Sequence, residues 1–290
     1  MKFRVCFALT LAMGFMACTD YQSEWEDDNQ AFAQGSTPQA SALADSLKKM
    51  PESTVQVSGT YDCRMFKCAL TDYLNPSLLA SNAYGEILDA RDNQVYKTIA
   101  IGDQVWMAQN MNYVSTDGNA DDGVSSWCLS DNENNCLLYG RLYTWSAAMN
   151  MDAVANTAKV VAYDKAQGAC PKGWRVPSYE DWAKLVKNVD AANGDEKIGN
   201  SLKSVTSWAG IDGLTDTFGF SAVAGGERSL DGNYAKEASI FESWINEQGD
   251  GGLASVWTIS SDEASSSELS FDNNQVIKAS GHYLRCIWGK

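Results

Sequence analysis

The sequence predicts an α+β fold with antiparallel pairing. Three observations predict it: a tight hairpin signal near residue 100, two amphipathic helical stripes in the middle of the chain, and a succession of strand signals after residue 218. The hairpin comes first. Val95-Tyr96-Lys97-Thr98-Ile99-Ala100-Ile101 is β-branched and alternating, Gly102-Asp103 offers a turn, and Gln104-Val105-Trp106-Met107-Ala108 returns. Leu142, Trp145, Ala148 and Met149 share one helical face, which predicts a short helix from Gly140 to about Met151.

A second helix carries stronger punctuation. Pro177 precedes Ser178, Asp181 follows at capping-box distance, and Trp182, Leu185, Val186 and Val189 form the apolar stripe before Gly194 stops it. Ile198 and Leu202 predict a further turn or two. Strand signals follow at Phe218 to Val223 before Gly225-Gly226, Ser255 to Ile259, Leu269 to Phe271, Val276-Ile277, and Tyr283 to Trp288. No residue run repeats at a fixed period, so one domain is expected.

Composition bounds the rest. The 290 residues are 44% hydrophobic and 20% charged, enough for a sizeable core and too apolar for a disordered chain. With 22 basic against 37 acidic side chains, the net charge of -15 argues against nucleic acid, whose binding depends on Lys and Arg displacing counterions. The one histidine, His282, excludes any mechanism that needs two imidazoles.

Lys2 and Arg4 precede an uncharged apolar run, Val5 to Ala17, too short to span a bilayer as a mature helix; this pattern is a secretory leader over residues 1–17. Gly14-Phe15-Met16-Ala17-Cys18 resembles a bacterial lipoprotein processing site, with Phe15 where Leu is usual. Cys18 is therefore the expected lipidation site, and the membrane an expected partner through that anchor. Removing the leader leaves 20 basic against 37 acidic groups, a net of -17. Asp20, Glu24, Glu26, Asp27 and Asp28 then follow the anchor closely, like the acidic tags that send some lipoproteins to the outer surface; a solvated tether is the plainer reading. The Ala, Ser, Gln and Pro composition that follows extends this tether over 18–58, with one short helix expected around Leu43, Leu47 and Met50. A lead-in segment covers 59–84, and the main domain 85–290.

Six cysteines lie beyond the leader and anchor: Cys63, Cys68, Cys128, Cys136, Cys170 and Cys286. An even number in an exported chain implies disulfides, and six allow about 15 connectivities. Spacing favours two small loops, Cys63–Cys68 and Cys128–Cys136. That leaves Cys170–Cys286 to tie the region before the main helix to the last strand. A four-cysteine zinc site would need CxxC knuckles that the sequence lacks.

Several motifs then occur in one order. Asp92 to Ile99, Ile101 to Tyr113, Tyr139 to Met149, Cys170-Pro171-Lys172-Gly173-Trp174-Arg175-Val176-Pro177-Ser178, Phe218-Gly219-Phe220-Ser221 and Leu284-Arg285-Cys286 together resemble the Fibrobacter succinogenes major paralogous domain. The resemblance runs from about residue 85 to 289. It implies an exported, often lipid-anchored surface protein, and a fold similar to C-type-lectin-like and formylglycine-generating-enzyme-like domains. In those folds a Gly-Trp-x-x-Pro-Ser stretch opens a helix and a cysteine on the last strand closes the domain, and Cys170 and Cys286 fit that plan. It also implies that the stretch from about Gly225 to Ser255 is the variable loop face where ligands bind.

No catalytic constellation is evident. Glu180 and Asp181 stand in a first helical turn, where the helix dipole favours acids, and close carboxylate pairs are common in so acidic a chain. No Ser-His-Asp spacing accompanies His282, and the thiol pair of the formylglycine-generating enzymes is expected here as a bridge. No cofactor is expected. Calcium is the ion weighed, at Asp117, Asn119 and Asp121, yet the EF-hand glycine would fall at 122 and Cys128 takes the place of the closing Glu. Trp106, Trp145, Trp174, Trp182 and Trp288 are expected in the core, while Trp208, Trp244 and Trp257 are the candidates for stacking on sugar rings. The leading expectation is a lipid-anchored surface module that binds or adheres to an extracellular partner, a plant polysaccharide or a surface protein, and is not an enzyme. A structural envelope lipoprotein without a small ligand is the alternative, and an exported enzyme ranks third.

Overall fold

The computed structural model describes residues 59–114, 125–161, 167–193, 198–261 and 275–289, and in addition the backbone of 5–6, 18–19 and 56–57. The short helix expected near Leu43, the acidic stretch 20–28, the calcium candidates Asp117, Asn119 and Asp121, and the strand expected at Leu269 to Phe271 lie outside these residues. Of Cys18 the backbone alone is described, in a two-residue ladder opposite Cys6.

The chain enters through β1 (Lys67–Cys68) and α1 (Pro76–Ala80), whose Asn75 cap accepts from the Ser77 and Leu78 amides. The central sheet follows: β2 (Gly85–Asp89), β3 (Gln94–Ile101) and β4 (Gln104–Met107). The predicted hairpin is present, with Ile101 opposite Gln104 and Gly102 at φ +61° in the turn. Period-two alternation sends Tyr96, Ala100, Val105 and Met107 into one core and Ile99, Ile101, Trp106 and Ala108 into another on the opposite face. The central sheet is thus covered on both sides.

Next come β5 (Ser126–Trp127), α2 (Glu133–Tyr139), β6 (Leu142–Tyr143) and α3 (Trp145–Ala148). The helix predicted from Gly140 to Met151 is corrected. Its apolar stripe is buried as expected, but Leu142 and Tyr143 pair with β5 and the Thr144 hydroxyl accepts from Ala147 N–H, so the helix starts only at Trp145. Gly140 precedes this turn at φ +77°, and a Cβ there would fall 2.7 Å from both Asn110 Cβ and the Met111 carbonyl oxygen.

The main helix is where its signals put it. After β7 (Trp174–Arg175), α4 spans Tyr179–Asn193. Ser178 N–H donates to Asp181 Oδ2 at 2.7 Å, and Asp181 N–H donates to Ser178 Oγ at 3.3 Å, the reciprocal capping box. Trp182, Leu185 and Val189 are buried against the second core, where Trp182 stacks on Trp257 at 4.9 Å and 10°. The short α5 (Ile198–Leu202) follows.

The strand predicted from Phe218 to Val223 is corrected. Gly219 and Ser221 adopt left-handed backbone conformations, and the buried Asp216 carboxylate accepts from the Ser221 amide and hydroxyl; one bridge, Lys203 to Ala222, remains. The stretch Gly225 to Ser255 is corrected likewise, from a loop face to mostly regular structure. It holds the hairpin β8 (Glu227–Arg228) and β9 (Tyr234–Ala235), then β10 (Ile240–Gln248) and the start of β11 (Leu253–Ser260). With β12 (Gln275–Ile277), strands β10 and β11 make a second antiparallel sheet in the order β10-β11-β12.

The predicted final strand is fragmented. Residues 281–283 bridge three elements in turn, Gly281 to Arg228, His282 to Tyr143 and Tyr283 to Ser243, and only β13 (Ile287–Trp288) enters the central sheet, between β4 and β7. Between them the Arg285 guanidinium, fully buried, donates to Asn110 Oδ1 at 2.8 Å and to the Phe220 and Met107 carbonyls at 2.6 and 3.2 Å. The three expected disulfides are formed, Cys63–Cys68, Cys128–Cys136 and Cys170–Cys286. The described chain is therefore α+β, with short helices, antiparallel strands and three staples.

Candidate functional site

The three tryptophans expected to meet sugars are instead buried. Trp208 donates its indole N–H to the Ala222 carbonyl at 2.9 Å, with the Lys203 ammonium 5.0 Å from its ring centre. Trp257 is sandwiched in the second core, and Trp244 donates to the Tyr143 carbonyl at 2.7 Å. For Trp244 the expectation failed because β10 forms where a loop is expected, and for Trp257 because the expected strand lies in a covered sheet. Aromatics at alternating strand positions bury a large area there.

Trp244 leads to the most unusual polar group of the interior. Its ring edge meets the His282 imidazole at 4.7 Å and 82°. His282 is fully buried, and the ladder of Tyr143 N–H to His282 C=O (2.7 Å) and His282 N–H to Tyr143 C=O (3.0 Å) fixes its backbone. Tyr283 N–H donates to the Glu242 carbonyl at 3.1 Å, which sets the Glu242 side chain on β10 beside the imidazole. On the other flank, the two-way pairing of Arg228 with Gly281 brings in Glu227. Among the described residues, Glu227, Glu242 and His282 form a group of three metal-ligand types, with one donor atom from each within 4.8 Å of the others.

The proton positions within the group follow from simple valence. Ser280 Oγ lies 2.5 Å from the Ile277 carbonyl oxygen and 2.9 Å from His282 Nε2. A carbonyl can only accept, so the single hydroxyl proton goes to Ile277 and Ser280 Oγ accepts from Nε2–H. The ring nitrogen left facing the carboxylates is Nδ1. It lies 2.9 Å from Glu242 Oε2, yet neither atom has a hydrogen bond of acceptable geometry. Glu242 Oε1 accepts from Thr258 Oγ1 at 3.3 Å, and Lys236 Nζ stands 3.0 Å from Glu227 Oε1. Burial pushes the Glu242 carboxyl up, but the adjacent imidazole, Lys236 and Thr258 outweigh it and hold it below the usual carboxylate range.

Ser280, His282 and Glu242 thus line up as a Ser-His-acid chain that the sequence spacing did not suggest. Its polarity is the reverse of a nucleophile relay. A general base would need Nε2 to accept from the serine, whereas here Nε2 donates, and Ser280 is itself buried. The arrangement is better suited to holding a cation between a nitrogen and two carboxylates. Glu180 and Asp181, the other acids considered, serve the start of α4: burial raises the Asp181 carboxyl, but the Arg175 guanidinium and the Ser178 amide more than offset it and hold it below the ordinary range.

Sequence reasoning missed Glu227, Glu242 and Ser280. One signal was available: Glu242 interrupts the apolar alternation of Ile240-Phe241-Glu242-Ser243-Trp244, and an acid on the buried side of a strand calls for a partner.

No curated protein and no solved structure matches the chain. One family model does, described as the Fibrobacter succinogenes major domain, over residues 99–288. That span takes in β4, α4, the second sheet, the histidine group and the Cys170–Cys286 bridge, and by it the chain belongs to the Fibrobacter succinogenes major domain family.

Proposed function

We propose that the chain is a lipid-anchored binding module of the cell surface, held on an acidic tether, with plant polysaccharide as its ligand class. One observation carries the reading. All six cysteines beyond residue 58 close in three bridges, which leaves Cys6 and Cys18 as the two outside them, and Cys18 stands where the lipoprotein-like leader ends. Disulfides persist in oxidising compartments outside the cytoplasm, and acyl chains on Cys18 would hold the module at a membrane face. A C-type-lectin-like plan belongs to the same reading, because the longest bridge joins the segment before α4 to the residue that leads into β13.

The recognition face of this proposal is the β8–β9 hairpin, within the stretch where the family resemblance puts ligands. There the Arg228 guanidinium lies 4.1 Å from the centre of the partly exposed Trp127 ring, and the Tyr234 hydroxyl donates to Asp131 at 2.6 Å. Aromatic faces beside charged and hydroxyl groups suit sugar rings, which offer the same mixture.

Two measurements test the proposal. The intact mass of the mature protein should show acylated Cys18, and Cys18→Ser should release the protein from membranes. The mature protein should be retained on insoluble cellulose or xylan, and Trp127→Ala and Tyr234→Ala should each weaken retention. A protein that binds neither polymer is an envelope component without such a ligand, and retention that ignores both substitutions removes the hairpin as its face.

A further inference from the structure

We propose that Glu227, Glu242 and His282 form a binding site for a divalent transition metal, zinc foremost. The site goes beyond the adhesion reading and does not depend on it. Two buried atoms carry the argument: His282 Nδ1 and Glu242 Oε2, on side chains 1% and 6% exposed, face each other without a hydrogen bond. With Nε2–H committed to Ser280, the Nδ1 side of the ring faces a carboxylate oxygen, a contact that calls for a positive charge there, either a proton on Nδ1 or a cation held between the two atoms. At 2.9 Å and without a hydrogen bond between them, the two atoms stand within reach of one shared cation. Two metal bonds of about 2.1 Å meeting at the tetrahedral angle put their donor atoms about 3.4 Å apart, so the two atoms would separate by about 0.5 Å to take zinc between them, with the metal off the line that joins them.

Donor chemistry narrows the ion. One imidazole nitrogen with two carboxylates suits zinc and its neighbours, whereas calcium and magnesium prefer sets made of oxygen alone. Ser280 supplies the outer contact that such imidazoles use to fix tautomer and ring orientation. Charge balances as well. The Lys236 ammonium now offsets Glu227 from a half-exposed position, and a dication between the two carboxylates would release it to solvent. A metal there would clamp the β8–β9 hairpin to β10 and to the segment 281–283.

The test uses the mature protein without a polyhistidine tag, stripped with a chelator, dialysed and titrated with ZnCl2. One equivalent should bind and raise the thermal midpoint, and CoCl2 should give visible d–d bands that zinc abolishes. Glu227→Gln, at the partly exposed rim, should weaken zinc binding at least about tenfold while the protein stays folded. Lys236→Met should tighten binding several-fold, because the competing ammonium is gone. Glu242→Gln should abolish binding, and if it fails to fold, Glu227→Gln and Lys236→Met decide the matter. No zinc or cobalt uptake by the unsubstituted protein, or uptake unchanged in Glu227→Gln, overturns the proposal.

Discussion

Replacing Cys170 and Cys286 together by alanine should destabilise the domain more than removing either other bridge. The two residues are 116 apart in sequence, against 5 for Cys63–Cys68 and 8 for Cys128–Cys136. In the loop-closure treatment these separations correspond to about 4.8, 2.1 and 2.5 kcal/mol of unfolded-chain entropy at room temperature. Cys170 and Cys286 are also fully buried in the first core, so shortening them removes packing as well. For a domain of this size 1 kcal/mol moves the midpoint by about 2–4 °C, so the double variant should melt about 10–20 °C lower. The assay is thermal and urea unfolding of oxidised protein, with Cys63→Ala/Cys68→Ala as the comparison. Equal losses in the two double variants would refute the reasoning, because loop length would then not govern the effect.

Arg285 and Asp181 carry two further predictions. Arg285→Met leaves Asn110 Oδ1 and the Phe220 and Met107 carbonyls without their donor, and should cost about 3–5 kcal/mol in urea unfolding. Burial already draws this guanidinium down to about 10, against the nearby Tyr73 and Asp216. Asp181 is depressed in the folded state, so its contribution is present above the unfolded carboxylate range and is lost as pH falls through the folded value. Asp181→Asn should therefore lower stability by about 1–2 kcal/mol at neutral pH and flatten the acid limb of the stability curve.

Elements set by short-range rules were legible in the sequence. The β3–β4 hairpin follows from alternation around Gly102, and α4 from Ser178, Asp181 and the apolar stripe from Trp182 to Val189. The same holds for the two small bridges, whose partners are close in sequence. What escaped reading depends on distant partners. Gly140 to Met151 has a helical stripe, yet Tyr143 is taken by His282 and the helix is cut short. Trp244 reads as free because it lies in a stretch rich in Gly and acids, but pairing of β10 with β11 turns both it and Trp257 inward. The Glu227, Glu242 and His282 group is assembled by the bridges of Gly281 to Arg228 and of Tyr283 to Ser243, and no local spacing encodes those contacts.

The position of residues 281–288 bears on the order of folding. Leu284 and Cys286 fill one core, Ile287 fills the other, and β13 stands inside the central sheet between strands drawn from both halves of the domain. A nascent chain that has not yet delivered these residues lacks a central strand, the Arg285 fork and the partner for Cys170. Its earlier hairpins and helices can form but have nothing to close on. Such a chain stays pliable until these residues are delivered, and then oxidation and packing can finish together.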